Sequence, residues 1–327
     1  MNEDYSHIIA TDEPSQKNHF PILMQLGILS LVLAGLFSAL LLQNSSGQLA
    51  GELPPAPVAD DATAVVVPQK IAEQNLRAQA AYVWDVRAQR ALYAENESTA
   101  LPLASITKLM TTLLSYELVD QSKTTAISQN AILQEGSSGF SIGETLTIED
   151  LSQMALISSS NDAAYELAAS VGTLLGDRDP VAQFVTGMNI RAQELGLSSL
   201  EFKNTTGLDI SLYEPGAVGS AKDISFLMEH IIDTYPDILA PSKQATTRVY
   251  NTNGEYHTVE NTNDIVNRIP NLIGSKTGYT DLAGGNLTIA FDLGLNRPII
   301  ITVLGSTYDE RFNDVMTLVT AVRNSVE

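Results

Sequence analysis

The spacing of apolar positions along this chain changes character several times. Residues 20–42, FPILMQLGILSLVLAGLFSALLL, form one uncharged apolar run. At the helical rise such a run extends about 34 Å, enough to cross the hydrocarbon core of a bilayer, so one spanning helix is expected there. Residues 43–70 then mix Ser, Gly, Pro and Asp, which predicts an extended tether. Short mostly apolar runs follow at 80–86 and 90–93 and read as two strands joined by a short polar turn. Helical spacing takes over at 105–120, 148–157, 162–171 and 180–195, with Gly172 and Gly196 where left-handed caps would fall. Ser220 with Asp223 reads as a capping box opening a further helix that stops before Pro236. Asn253-Gly254 between 248–250 and 256–259 predicts a two-residue hairpin, and 273–280, 287–293 and 298–305 predict three more strands before a closing helix at 310–324. With no internal repeat, the pattern divides into a tail at 1–19, a span at 20–42, a linker at 43–70 and one unit at 71–327. That unit reads as an α/β (α+β) fold whose sheet is drawn from both ends, with helices inserted between.

Charge then narrows the partners. Asp and Glu outnumber Lys and Arg by 38 to 18 in 327 residues, a formal net charge of -20, which repels a phosphate backbone and argues against nucleic acid. Cysteine is absent, which excludes disulfides, thiol catalysis and thiolate metal sites. Lys17 lies just before the apolar run and no basic residue follows it until Lys70, so the tail is expected in the cytoplasm and the bulk outside the membrane. A cleaved signal is the competing view, with Ser45, Ser46 and Gly47 as small residues for a peptidase. Signal peptides, however, carry about 7–15 apolar residues after a basic start, and here the preceding stretch is mostly acidic.

Three short motifs carry candidate chemistry. In Ser105-Ile106-Thr107-Lys108 the amine lies three positions from the hydroxyl, one helical face, so a Lys with a lowered pKa could serve as base to a Ser nucleophile. Ser159-Ser160-Asn161 would relay a proton and position a substrate, although the same residues could simply cap the helix that follows. Lys276-Thr277-Gly278, on a strand, offers a cation, a hydroxyl and room for a substrate backbone, but could equally be an edge strand protected by its Lys. Their shared order and spacing match the three-part set of penicillin-binding proteins and β-lactamases. His230 and His257 lack partners at metal spacing, and Glu149-Asp150 and Asp60-Asp61 read as solvated charge, so no metal is expected.

On these motifs, together with MNIRAQELGL, FKNTTGLD, GSKTGYTDLAGGNL and ERFNDV, the chain resembles the low-molecular-weight D-alanyl-D-alanine carboxypeptidases over about 80–324. The resemblance implies a β-lactamase/transpeptidase-like fold, an antiparallel sheet flanked by helices plus an all-helical region, with the motifs in the cleft between. It implies Ser105 as acylated nucleophile, Lys108 as base, Ser159 as proton relay, and Asn161, Lys276, Thr277, Gly278, Tyr279 and Arg311 as substrate-binding residues. The N–H groups of Ser105 and Tyr279 would form the oxyanion hole. The implied substrate is a peptidoglycan stem peptide ending in D-Ala-D-Ala, with β-lactam antibiotics as covalent inhibitors and no cofactor. Many relatives carry a further β-domain and a C-terminal amphipathic helix, whereas here the N-terminal helix is expected to anchor the protein. Tyr279 and Thr262 stand where some relatives have His and Arg.

Three other readings stay open. A D,D-endopeptidase would use the same apparatus on cross-links. A β-lactamase of one class needs a dedicated Glu after the second motif, for which Glu194 lies at a suggestive distance, yet it falls in the last turn before a capping Gly, where a solvated Glu is commoner. A non-catalytic wall-binding or penicillin-sensing module would keep the cleft without turnover.

Overall fold

The computed structural model describes residues 69–326, apart from 137 and 177. The expected tail, spanning helix and nearly all of the linker lie outside the described residues. Among the described residues no helix is long and apolar enough to cross a membrane.

The largest sheet among the described residues contains β1 (Ala80–Asp85), β2 (Arg90–Glu95), β3 (Leu272–Thr280), β4 (Gly284–Asp292) and β5 (Pro298–Ser306). Their order is β3-β4-β5-β1-β2 and every pairing is antiparallel, so both ends of the unit meet at the β1–β5 seam, where Ala80 faces Leu304. Strand side chains alternate between faces, and the two faces bury different cores. Tyr82, Trp84, Ile300 and Leu304 face the helical region, while Val83, Ile289, Ile301 and Val303 pack on the closing helix α6 below.

Helices α1 (Lys108–Leu118), α2 (Ile148–Ile157), α3 (Asn161–Val171), α4 (Pro180–Glu194) and α5 (Ala221–Thr234) fill the middle of the chain, and α6 (Glu310–Asn324) closes it. Ser225 of α5 meets Thr302 of β5 at 2.8 Å, and Thr302 meets Thr288 of β4 at 2.8 Å, so buried hydroxyls satisfy one another where α5 crosses the sheet.

Four local expectations are corrected. Gly172 has φ -59 and continues α3 into a 3-10 turn, Gly172–Leu174, whereas Gly196 does take the left-handed conformation at φ 73. A side chain at 172 would meet the Pro180 carbonyl oxygen at 2.0 Å, so close packing selects this glycine. Only half of the Ser220 capping box forms. Ser220 Oγ accepts from Asp223 N at 3.1 Å, but the Asp223 carboxylate turns to Ser199 N and Oγ at 2.8 and 2.7 Å. The reciprocal box is instead at Thr147 and Asp150. The hairpin loop is longer than two residues, since Asn251 N donates to Glu255 O at 2.8 Å, with Gly254 at φ 83. Such a turn with one left-handed residue is the three-residue hairpin geometry. Finally, Ser105 lies in a 3-10 turn, Ala104–Thr107, and α1 begins only at Lys108.

Candidate active site

Backbone strain marks the place before any side chain is considered. Ala104 and Ser159 both have positive φ, 48 and 63. Non-glycine residues hold that conformation only where their surroundings over-determine it, and such positions cluster at functional sites. Gly207, at φ 81, lies against Ala104 so closely that a Cβ would come within 1.9 Å of the Ala104 carbonyl oxygen. Asn286, fully buried on β4, donates to the Pro102 and Leu103 carbonyls at 2.9 and 3.0 Å and accepts from Gly305 N at 2.8 Å. The segment leading into Ser105 is thereby tied to the sheet.

Ser105 and Lys108 meet as their spacing predicts. Lys108 Nζ lies 2.8 Å from Ser105 Oγ and donates to Asn161 Oδ1 at 2.7 Å and to the Thr206 carbonyl at 2.9 Å, so a neutral amine, with two N–H bonds, turns its lone pair to the Ser105 hydroxyl. The side chain is fully buried, and burial, reinforced by the Lys276 charge, holds the amine well below the usual lysine range. Ser159 and Ser160 divide the labour that sequence alone left undecided. Ser160 Oγ caps α3 by accepting from Ala163 N at 3.0 Å, which frees Ser159 Oγ to accept from Lys276 Nζ at 2.9 Å.

Lys276 and Thr277 lie on β3 and are also buried. Burial first, then the Arg311 guanidinium, lowers Lys276 to about 7. Thr277 Oγ1 lies 2.5 Å from Thr262 Oγ1. Gly278 brings β3 against the Ser105 turn: a Cβ there would be 2.7 Å from the Leu103 carbonyl oxygen and 3.2 Å from Ser105 N. Arg311, 2% exposed, donates from Nη1 to the Gly278 carbonyl at 2.9 Å and lies over the Tyr308 ring at 4.4 Å. It therefore stands behind the strand. Tyr279 is 47% exposed and lines a cavity of about 500 Å³ with Glu135, Leu208, Asp209, Leu212 and Asp281.

Glu194 is not brought in. It pairs with Arg191 at 3.0 Å with its side chain 57% exposed, a surface ion pair. His257 pairs with Glu144 at 2.6 Å, and among the described residues no acidic, His or Cys group is arranged to hold a metal.

Asn286 and the Thr206 carbonyl escaped sequence reasoning, and Thr262 was noted only as standing where some relatives have Arg. The segment containing Thr206 was visible as FKNTTGLD, and its turn is organised by Asn204 Oδ1, which accepts from Gly207 N at 2.7 Å.

A serine hydroxyl beside a buried lysine amine, between a helical region and the edge of an antiparallel sheet, has the geometry of a serine-hydrolase type of site. The comparisons then specify it. The family described as D-alanyl-D-alanine carboxypeptidase, peptidase S11, matches residues 67–307, and the chain belongs to that family. D-alanyl-D-alanine carboxypeptidase DacF of Bacillus subtilis is 32% identical over 237 residues, 68% of this chain and 56% of DacF. The chain thus spans little more than half the length of that relative. A D-alanyl-D-alanine endopeptidase of Pseudomonas aeruginosa is 30% identical over 240 residues, 71% of this chain and 72% of that protein. Penicillin-binding protein D2 of Listeria monocytogenes, solved in a cefotaxime-bound form, aligns with a TM-score of 0.64 at 29% identity, covering 76% of this chain and 98% of that one.

Proposed function

We propose that this chain is a serine-type D-alanyl-D-alanine carboxypeptidase, releasing the terminal D-alanine of peptidoglycan stem peptides through an acyl-enzyme on Ser105. The carrying observation is the 2.8 Å contact between Ser105 Oγ and an amine that burial, then the Lys276 charge, lowers well below the usual lysine range. An uncharged amine has a lone pair to take the Oγ proton, and the oxygen attacks the carbonyl carbon of the penultimate D-alanine. Collapse of the tetrahedral species breaks the C–N bond. The proton taken by Lys108 passes through Ser159 to the departing amine, which leaves as free D-alanine. Water then attacks the ester, with Lys108 again as base, giving the shortened peptide and restoring Ser105.

The other residues act on charge and position. The N–H groups of Ser105 and Tyr279 stabilise the oxyanion, a contribution of about 3–4 kcal/mol per donor. Asn161 Nδ2 holds the substrate's peptide carbonyl. Lys276 and Thr277 receive the terminal carboxylate, while Arg311 adds positive potential from behind Gly278. The upstream residues of the stem peptide continue past Tyr279 into the 500 Å³ cavity. The cefotaxime-bound Listeria structure supports binding of β-lactams, and their acylation of Ser105 is part of the proposal.

The Pseudomonas relative favours a second reading, an endopeptidase cutting cross-links with the same groups. D-Alanine release from a pentapeptide ending in D-Ala-D-Ala, and cleavage of a cross-linked dimer, are to be measured on the full chain with Ser105→Ala as control. Ser105-dependent release of D-alanine from the pentapeptide supports the carboxypeptidase. Cleavage of the dimer alone supports the endopeptidase, and a stable penicillin adduct with neither product sinks both in favour of a sensor.

Residues 20–42 are proposed as a single-pass anchor with the catalytic unit outside the cytoplasm, on the strength of an uncharged run of spanning length. Alkaline carbonate extraction and protease accessibility of intact cells and spheroplasts test it. Release by carbonate would remove the proposal.

A further inference from the structure

Asp162 follows Asn161 in the first turn of α3 and is 1% exposed. Its Oδ2 accepts from the backbone N–H of Ser138 at 3.0 Å, while its buried Oδ1 has no hydrogen-bond partner. Burial accordingly raises the carboxyl above its ordinary value. An incompletely paired buried carboxyl is costly, and starting the helix does not require it, because Ser160 already supplies the cap.

What Asp162 holds is the loop that faces Asn161. Ser138 Oγ also meets Ser160 Oγ at 2.5 Å, so the loop is tied to the start of α3 twice. A few residues earlier in that loop, the Glu135 carbonyl accepts from Asn161 Nδ2 at 2.7 Å. Gly136 follows at φ 83, where an added Cβ would lie 3.7 Å from that same nitrogen. On its other side Asn161 Oδ1 accepts from Lys108 Nζ at 2.7 Å.

A side-chain amide can present either end, and its partners decide which. A carbonyl can only accept, so Glu135 selects Nδ2 on its side and thereby leaves Oδ1 for Lys108. We infer that Asp162 is a positioning residue for Asn161: by tying the loop to the start of α3 it sets the Glu135 carbonyl that fixes the direction of the Asn161 amide. This rests on the proposed function, in which Asn161 Nδ2 receives the carbonyl of the acyl donor.

Acylation of the full chain by two β-lactams tests it. Benzylpenicillin has an acylamino carbonyl that needs such a donor, and 6-aminopenicillanic acid lacks it. Asp162→Ala is expected to slow acylation by benzylpenicillin about tenfold and by 6-aminopenicillanic acid less than about threefold, the scale of one misplaced hydrogen bond. Asp162→Asn keeps an acceptor oxygen and retains most of the benzylpenicillin rate. In an Asn161→Ala background Asp162→Ala has no further effect. Should Asp162→Ala prove unfolded by circular dichroism, Asp162→Ser, tolerated in a first helical turn but too short to hold the Ser138 N–H, carries the same expectations. Equal losses on both β-lactams, or a full further loss beside Asn161→Ala, overturn the inference while leaving the proposed function standing. Failure of the unaltered protein to acylate at Ser105 overturns the proposed function, and the inference with it.

Discussion

Lys276 donates from Nζ to the Ser159 hydroxyl at 2.9 Å and so joins the cationic strand β3 to the strained residue before α3. A charge placed there, buried and close to Lys108, has two effects. It holds Ser159 in a conformation that a serine seldom adopts, and it adds to the burial that lowers the Lys108 amine below the usual lysine range.

The first prediction concerns pH. Lys276 is charged below about pH 7 and neutral above it. Where that charge draws the substrate carboxylate, kcat/KM on a D-Ala-D-Ala peptide falls as pH rises through about 7, while protonation of Lys108 sets the acidic limb. Lys276→Arg keeps a cation throughout and removes the fall, at whatever cost to the maximum. Arg311→Ala withdraws the second cause of the depressed Lys276 value and moves the fall to higher pH. Profiles of the three proteins check this, and an unmoved fall in Lys276→Arg assigns it to another group.

Stability has the opposite pH sense for Lys108. Its folded-state pKa is depressed, so the unfolded chain binds more protons and stability rises with pH between the folded value and the unfolded value of about 10.4. Lys108→Met removes the titrating amine at similar volume. The difference in Tm, variant minus unaltered protein, is expected to be larger at neutral pH than near pH 10, with acylation lowered by about 10²–10⁴ through loss of the base. Thermal melts at the two pH values decide it, and a difference independent of pH would sink the linkage.

The sequence carried the elements and the motif residues well because both are local. Short runs of β-prone residues marked β1 and β3, and three-residue spacing put Lys108 within reach of Ser105. What it did not carry is the pairing of polar groups from distant segments. Lys108 meets the Thr206 carbonyl across 98 positions, and Asn286 meets Leu103 across 183. Nothing near Asn286 distinguishes it from any other polar residue on a strand. Strain was equally hidden, since left-handed backbone advertises itself by Gly or Asn, whereas the site uses Ala104 and Ser159. Gly172 misled for the converse reason: it is required by the approach of Pro180, and its φ is ordinary.

Asn286 supplies the third prediction. Asn286→Leu leaves the Pro102 and Leu103 carbonyls and the Gly305 N–H without their side-chain partner in a fully buried place. The Leu103 carbonyl keeps its bond from Ile106 N at 3.2 Å, and a loss of about 3–5 kcal/mol follows from the other buried groups left without this partner. Urea unfolding measures it. Acylation of the fraction still folded should also slow, because the segment that positions Ser105 has lost its tie to β4. A loss under about 1 kcal/mol, the range of an ordinary surface substitution, would refute the assigned role.

Gly278 separates packing from chemistry most sharply. A methyl group there would sit 2.7 Å from the Leu103 carbonyl oxygen and 3.2 Å from the backbone nitrogens of Ser105 and Ile106. All three are backbone atoms of the Ser105 turn, which Asn286 ties to the sheet, and Gly278's own strand is held by the β3–β4 ladder, so neither side gives way as a flexible side chain would. In Gly278→Ala the strand must retreat from the Ser105 turn, which parts the two N–H groups assigned to the oxyanion. Removing one such donor costs about 10²–10³ in rate. The expected result is a loss of that size in benzylpenicillin acylation with a much smaller change in Tm, since the displaced strand end lies at the sheet edge. Acylation within about threefold of the unaltered protein would mean that the oxyanion is stabilised elsewhere than between Ser105 and Tyr279.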